Sequence, residues 1–227
     1  MFGNPAWRRK PFLTATKFLA FQLRRAVTFA PEIALPHAHG KITLKLPKNS
    51  SLAFVTAVYG AEDPDIALLE RLLQPGDIFV DGGAHIGLFS LAASVKVGET
   101  GQVIAFEPAP ETRKVLERHI EFNHCSNITV NPQALADTIG TRTFAAFSGE
   151  MWGYSSFAPP ETNETANSVA VEVTTLDTVI TDEIAPKIRL IKLDLEGAEY
   201  AALTGAKRLL MNDTPDLLLE IQAEHLE

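Results

Sequence analysis

The segment Ile78-Phe79-Val80-Asp81-Gly82-Gly83-Ala84-His85-Ile86-Gly87 constrains this chain more than any other. Its apolar start reads as a short strand buried on both faces. The strand ends on a carboxylate, and Gly83 and Gly87 then open a helix through about Val97. Glycines let the backbone approach a ligand closely, and a helix N-terminus offers N–H groups without intrahelical partners. A dinucleotide fingerprint would read G-x-G-x-x-G, and this segment has a different spacing. An acidic residue at the strand end would also repel a pyrophosphate, whereas it suits a ligand with a cationic amino group. That difference favours a nucleoside amino acid.

The remaining pattern places this turn in a sheet. Val103-Ile104-Ala105-Phe106 is a second strand, Glu111–Asn123 a helix and Ile128-Thr129-Val130 a third strand. Two β-rich runs follow, Thr143–Phe147 and Val169–Thr174. Arg189–Asp194 is a fourth main strand, Ala198–Asn212 a helix and Leu217–Ile221 a fifth strand. Such alternation predicts an α/β fold, doubly wound, with a mostly parallel sheet and helices on both faces. Right-handed crossovers put the first and fourth strands side by side, with the ligand crevice at their carboxyl ends. This domain is expected over residues 61–227, opened by a helix over Asp63–Leu73. Residues 1–60 are expected to hold a basic helix and a hairpin of Lys41–Leu46 with Leu52–Tyr59.

The length of 227 residues suits one such domain with a modest N-terminal extension. A formal net charge of −8 argues against a general nucleic-acid binder, because phosphate backbones require clustered cations. The single cysteine, Cys125, fits a reducing compartment. No apolar run reaches membrane-spanning length, so a soluble, cytoplasmic protein is expected. Arg8, Arg9, Lys10, Lys17, Arg24 and Arg25 are interleaved with Trp7, Phe12, Phe18, Leu19 and Leu23. This start is either an amphipathic helix that makes weak contact with an anionic membrane surface or one packed on the domain.

Roughly 20 residues beyond the glycine turn, the second strand ends in Phe106-Glu107-Pro108. Glu107 is either an acceptor for both hydroxyls of a ribose or a solvated turn residue; the first motif favours the ribose. Four segments then carry a resemblance: F-V-D-G-G-A-H-I-G-L-F-S-L, V-I-A-F-E-P-A-P, L-I-K-L-D-L-E-G-A-E and L-L-L-E-I. From about Ile78 onward the chain resembles the FkbM family of methyltransferases. The resemblance implies a Rossmann-like, seven-stranded sheet, S-adenosyl-L-methionine as cofactor, and O-methylation of sugars, glycans or small-molecule natural products. Carried over, Asp81, Gly83, Ala84 and Gly87 would shape the methionine end of the cofactor site. Glu107 would hold the ribose, and Pro132-Gln133-Ala134-Leu135 would lie beside the adenine. His85 stands where the family usually has asparagine and keeps one hydrogen bond to offer the cofactor.

Asp194 and Glu196 are the candidates for chemistry. A doubly wound sheet puts them beside the first strand, and strand alternation would turn both to one side. A carboxylate there can take the proton of a hydroxyl, with Glu196 favoured as base and Asp194 as positioner, or the reverse. The other alternative is that both simply cap the next helix. Lys192 either offsets their charge or is covered by a helix. Asp194, Glu196 and Glu220 have oxygen ligands for a hard cation, but no tight ligand spacing supports a required metal. Trp152 and Tyr154, in the Gly149–Ser156 loop, are either an acceptor lid or a hairpin plug. The family's sheet ends in an antiparallel strand pair, for which the residues after Ile221 are too few; the expectation is either a fragment or a member that lacks the last two strands. Two further readings remain: a nicotinamide-dependent oxidoreductase, and a truncated, impaired S-adenosylmethionine-binding module.

Overall fold

A computed structural model describes residues 11–27, 32–37, 42–47, 53, 57, 64–146 and 167–220. The chain divides into two compact units, residues 1–68 and 69–227. In the first, helix α1 (Pro11–Val27) precedes an antiparallel hairpin of β1 (Glu32–His37) and β2 (Ile42–Pro47). Ile42, Leu44 and Leu46 are buried, and the intervening Thr43 and Lys45 are partly exposed, the period of two of a half-buried strand. This corrects the expected pairing. The segment 42–47 takes its partner from the residues before it, across a link of a length that hairpins use. In the expected second strand, Ala53 and Ala57 are helical. Helix α2 (Pro64–Leu72) spans the boundary between the units.

The second unit holds the predicted alternation: β3 (Ile78–Gly82), α3 (Leu88–Val97), β4 (Gln102–Phe106), α4 (Pro110–Phe122) and β5 (Ile128–Asn131). After β6 (Ala134–Leu135), β7 (Gly140–Ala146) and β8 (Asn167–Thr174) come α5 (Leu176–Val179), β9 (Ile188–Leu193), α6 (Glu199–Thr204), α7 (Lys207–Asn212) and β10 (Asp216–Leu219). Five strands form one sheet in the order β10-β9-β3-β4-β5, every pair parallel. The first and fourth strands of the alternation, β3 and β9, are neighbours, as right-handed crossovers require. A smaller sheet has the order β6-β8-β7, with β7 antiparallel to β8.

Helices cover both faces of the large sheet. On one face Val80, Ile104, Phe106, Ile191 and Leu193 pack with Leu176, Ala202 and Leu209. On the other, Ala84 and Ala105 pack with Leu116, and Ile120 and Val130 lie against them. Helix α4 has the matching period, with Thr112, Val115, Leu116 and His119 buried. The single helix expected over Ala198–Asn212 is two short ones. They break at Gly205, where a Cβ would fall 2.1 Å from the carbonyl oxygen of Ala136. The Gly149–Ser156 loop, Arg8–Lys10 and the residues after Glu220 lie outside the described residues.

Candidate active site

The carboxyl ends of β3, β4 and β9 open on one cleft of about 180 Å³. The turn after β3 is stitched to both neighbouring strands. Gly83 and Ala84 donate their N–H groups to Phe106 O at 3.1 and 2.9 Å, and Asp194 N–H donates to Gly82 O at 3.1 Å. Of the residues singled out from the sequence, Gly83, His85, Glu107, Ala134, Asp194 and Glu196 line the cleft. Phe106, Pro108, Leu135 and Phe144 add an apolar wall, and Glu220 adds a further carboxylate. Glu220 is offered by the sequence only as an oxygen ligand. It stands where β10 ends, so the strand-end rule that pointed to Asp81 and Glu107 points equally to it.

Glu107 is buried, and its two oxygens accept backbone N–H groups from His85 (2.9 Å) and Ala109 (2.8 Å). Burial pushes its carboxyl up to about 7, against these hydrogen bonds and the Arg113 charge. Each carboxylate oxygen keeps a lone pair for one more donor. Its backbone is fixed by Arg113, whose guanidinium donates to the carbonyls of Glu107 and Pro108 at 2.9 and 3.0 Å.

Asp81 is not among the cleft-lining residues. Its side chain lies under α3 with no exposed surface, accepting a hydrogen bond from Ser90 Oγ at 2.5 Å. Lys192 Nζ sits 3.9 Å from Asp81 Oδ1, 3.0 Å from Asp194 Oδ2 and 4.8 Å above the centre of the Phe89 ring. The register explains this group. A shift between Ile78 and Phe79 skips Arg189, so that Lys192 rather than Ile191 comes opposite Asp81. Both side chains then turn to the face that α3 covers. Burial raises the proton affinity of Asp81, and the Lys192 charge opposes it. Lys192 therefore offsets the acidic charges beside it.

Ala84 and Gly87 likewise lie off the cleft. Ala84 is buried with Leu116, and a Cβ on Gly87 would fall 2.5 Å from Leu116 Cδ1, so the turn needs this glycine to receive α4. Gln133 donates to Glu172 on β8 at 3.4 Å. His85 takes a left-handed backbone (φ 51°), and its Nε2 is buried without a hydrogen-bond partner. Burial lowers its imidazole to about 4, so it is neutral near pH 7.

Asp194 and Glu196 reach the cleft by a different route from the one expected. Strand β9 ends at Leu193, and Glu196 (φ 51°) and Gly197 (φ 98°) form a left-handed turn. Alternation along a strand does not apply there. The turn is tied by Glu199, whose Oε1 accepts N–H groups from Leu195 at 2.7 Å and Gly197 at 3.3 Å. Helix α6 has no side-chain cap at its start, so capping does not account for Asp194 or Glu196. The Asp194 charge raises the proton affinity of Glu220, and Glu196 adds to the effect. The cleft thus has the buried carboxylate of Glu107 at the end of β4 and further carboxylates, Asp194, Glu196 and Glu220, beyond the ends of β9 and β10. Among the described residues, no group of three His, Cys, Asp or Glu has the geometry to hold a metal ion, and no helix is long and apolar enough to cross a membrane.

Comparison with known proteins gives a consistent result. The family described as the methyltransferase FkbM domain matches residues 81–227. Methyltransferase sdnD of Sordaria araneosa is 32% identical over 161 residues, which cover 59% of this chain and 61% of that protein. The 31-O-demethyl-FK506 methyltransferase FkbM of Streptomyces tacrolimicus is 28% identical over 199 residues, covering 73% of this chain and 75% of its own length. The chain thus spans about three-fifths of the Sordaria relative. Among solved structures, methyltransferase FkbM from Methylobacillus flagellatus KT is similar at 25% identity, with a TM-score of 0.45. The match covers 67% of this chain and 34% of that one.

Proposed function

The chain belongs to the FkbM methyltransferase family, and from that membership we propose that it moves a methyl group from S-adenosyl-L-methionine to a hydroxyl oxygen of a sugar, a glycan or a small-molecule natural product. Membership in a methyltransferase family sets aside the oxidoreductase alternative. The observation that carries the reading is the division of one cleft between Glu107 and the acidic end at Asp194 and Glu196.

The residues present fit this cofactor. Glu107 retains lone pairs for the two ribose hydroxyls, and Phe106, Ala134, Leu135 and Phe144 offer apolar surface for a flat base. Gly83 leaves the turn bare, and His85 offers an unpaired Nε2. Asp81, Ala84 and Gly87 hold that turn from beneath, and Gln133 braces the Ala134 segment against β8. When bound, the cofactor supplies a methyl group already activated by its sulfonium. What the chain must add is placement of the hydroxyl and removal of its proton. Glu196 takes the proton. Asp194, pinned by Lys192, positions the cofactor or acceptor.

Calorimetry on the full chain with S-adenosylmethionine, S-adenosylhomocysteine and NAD tests the cofactor. Binding of NAD but of neither adenosyl ligand would refute the proposal. Transfer of labelled methyl to a panel of sugars and hydroxylated small molecules tests the acceptor. Ethers formed on a hydroxyl resist base, so label released by base as methanol would move the reaction to a carboxyl group.

The state of Glu107 predicts a pH dependence. Ribose hydroxyls donate to the carboxylate, so binding selects the ionised form of a group that takes its proton near pH 7. Affinity for S-adenosylhomocysteine should weaken as pH falls through about 7, approaching tenfold per unit below it. Protons are released on binding in that range, and calorimetry in two buffers of different ionisation enthalpy measures them. A flat affinity profile through neutrality would remove Glu107 from the ribose.

A further inference from the structure

Helix α1 presents an apolar stripe to solvent. Phe12, Leu19 and Leu23 are spaced by seven and four residues, which stacks them on one face, and Phe12 is 88% exposed. Leu13 and Val27 widen the stripe and are exposed as well. The opposite face carries the buried Thr14 and Phe21. Lys17 and Arg24, seven residues apart, run along the border of the stripe, and Arg25 stands in the last turn. A monomer in water rarely keeps such a contiguous apolar face without a use for it.

Charge identifies the partner. Arg8, Arg9, Lys10, Lys17, Arg24 and Arg25 all precede Glu32, which is the first acidic residue of the chain. The molecule as a whole carries a formal net charge of −8, so this opening segment, with cations and no carboxylate, has the opposite sign to the rest of the chain. An apolar stripe bordered by Lys and Arg, with no carboxylate to repel phosphate, matches an anionic lipid surface. Pairing of α1 with the α1 of a second copy would bring basic borders together with no carboxylate on either helix to offset them.

We propose that α1 is an interfacial anchor that lies in the plane of an anionic membrane leaflet, with Phe12, Leu19 and Leu23 in the acyl boundary and the basic border among the headgroups. The anchor keeps the enzyme at the membrane surface without crossing it. The full chain should sediment with vesicles of phosphatidylcholine containing phosphatidylserine, and should not sediment with phosphatidylcholine alone. Added salt should weaken the association. Leu19→Ser with Leu23→Ser should lower vesicle affinity by about 100-fold. Lys17→Gln and Arg25→Gln should each lower it by about fivefold. S-adenosylhomocysteine affinity should stay unchanged in all four substitutions, because it reports the cleft alone. Loss of that affinity in the parent chain would thus strike the proposed function and leave the anchor standing. Equal sedimentation with neutral vesicles overturns the anchor. So does no sedimentation at all, or a dimer mass by light scattering that Leu19→Ser with Leu23→Ser converts to monomer while vesicles capture nothing.

Discussion

Glu196→Gln should leave the affinity for S-adenosylmethionine within about twofold and lower turnover by roughly 10²–10⁴-fold, the range that general-base catalysis by a positioned side chain contributes. The amide keeps the shape of the carboxylate and cannot accept a proton. Glu196 suits this test because a turn, not a helix cap, brings it to the cleft. The two other carboxylates at that end serve as comparisons. Asp194→Asn removes the closest anion from Lys192, whose buried ammonium then keeps Asp81 at 3.9 Å as its remaining close carboxylate among the ion pairs described. That substitution should therefore lower thermal stability together with turnover. Glu220→Gln acts at a side chain whose proton affinity Asp194 raises. It should shift the acid limb of the pH–rate profile and spare the maximum. Single-turnover transfer of labelled methyl at several pH values separates the three. Unchanged turnover in Glu196→Gln, with loss in Glu220→Gln, would move the base to the end of β10.

These comparisons depend on details of different legibility in the sequence. The strands of the large sheet were readable because parallel strands buried on both faces need continuous apolar runs, as in Ile78–Val80 and Val103–Phe106. Glu107 was readable because a carboxylate that ends such a strand must stand at the crevice. The position of Asp81 was not. Which face a strand-end side chain takes depends on register, and the skipped Arg189 brings Lys192 opposite Asp81 under α3. The acidic turn was legible in composition but not in geometry. Leu193-Asp194-Leu195-Glu196 alternates like a strand, and the left-handed backbone at Glu196 and Gly197 overrides that pattern. The hairpin differs from its expected pairing for a related reason: Leu52–Tyr59 is rich in apolar and β-branched residues, a weak preference for strand that does not hold at the helical Ala53 and Ala57. Gly205 was hidden inside a helical period, because a glycine's reason for being there is the Ala136 backbone 69 residues earlier in sequence.

The glycine turn itself gives the sharpest structural prediction. At Gly83 the backbone has φ 76°, and a Cβ would fall 1.9 Å from the Asp194 carbonyl oxygen and 3.0 Å from its carbon. Both the strain and the collision are with rigid partners. Left-handed backbone costs an alanine about 1–2 kcal/mol, and forcing apart well-packed groups adds about 1–3 kcal/mol. Gly83→Ala should thus destabilise the protein by about 2–5 kcal/mol. The only relief is to push the turn away from β9, which breaks the hydrogen bond from Asp194 N–H to Gly82 O and separates Glu107 from the acidic end. Cofactor affinity should fall, and turnover should fall by at least about 100-fold, even at temperatures where the variant stays folded, since a misplacement of about 1 Å already costs that much rate in aligned sites. Gly98→Ala is the control. Gly98 has φ 67° and ψ −171°, a backbone region that essentially only glycine adopts, and nothing within 4 Å of its Cβ position, so it carries strain without the collision. Its cost should be about 1–3 kcal/mol, with cofactor affinity unchanged. Chemical denaturation and calorimetry on both variants read the two quantities separately. Equal stability losses, or full cofactor affinity in Gly83→Ala, would mean that the close approach of the two strand ends does not build the site.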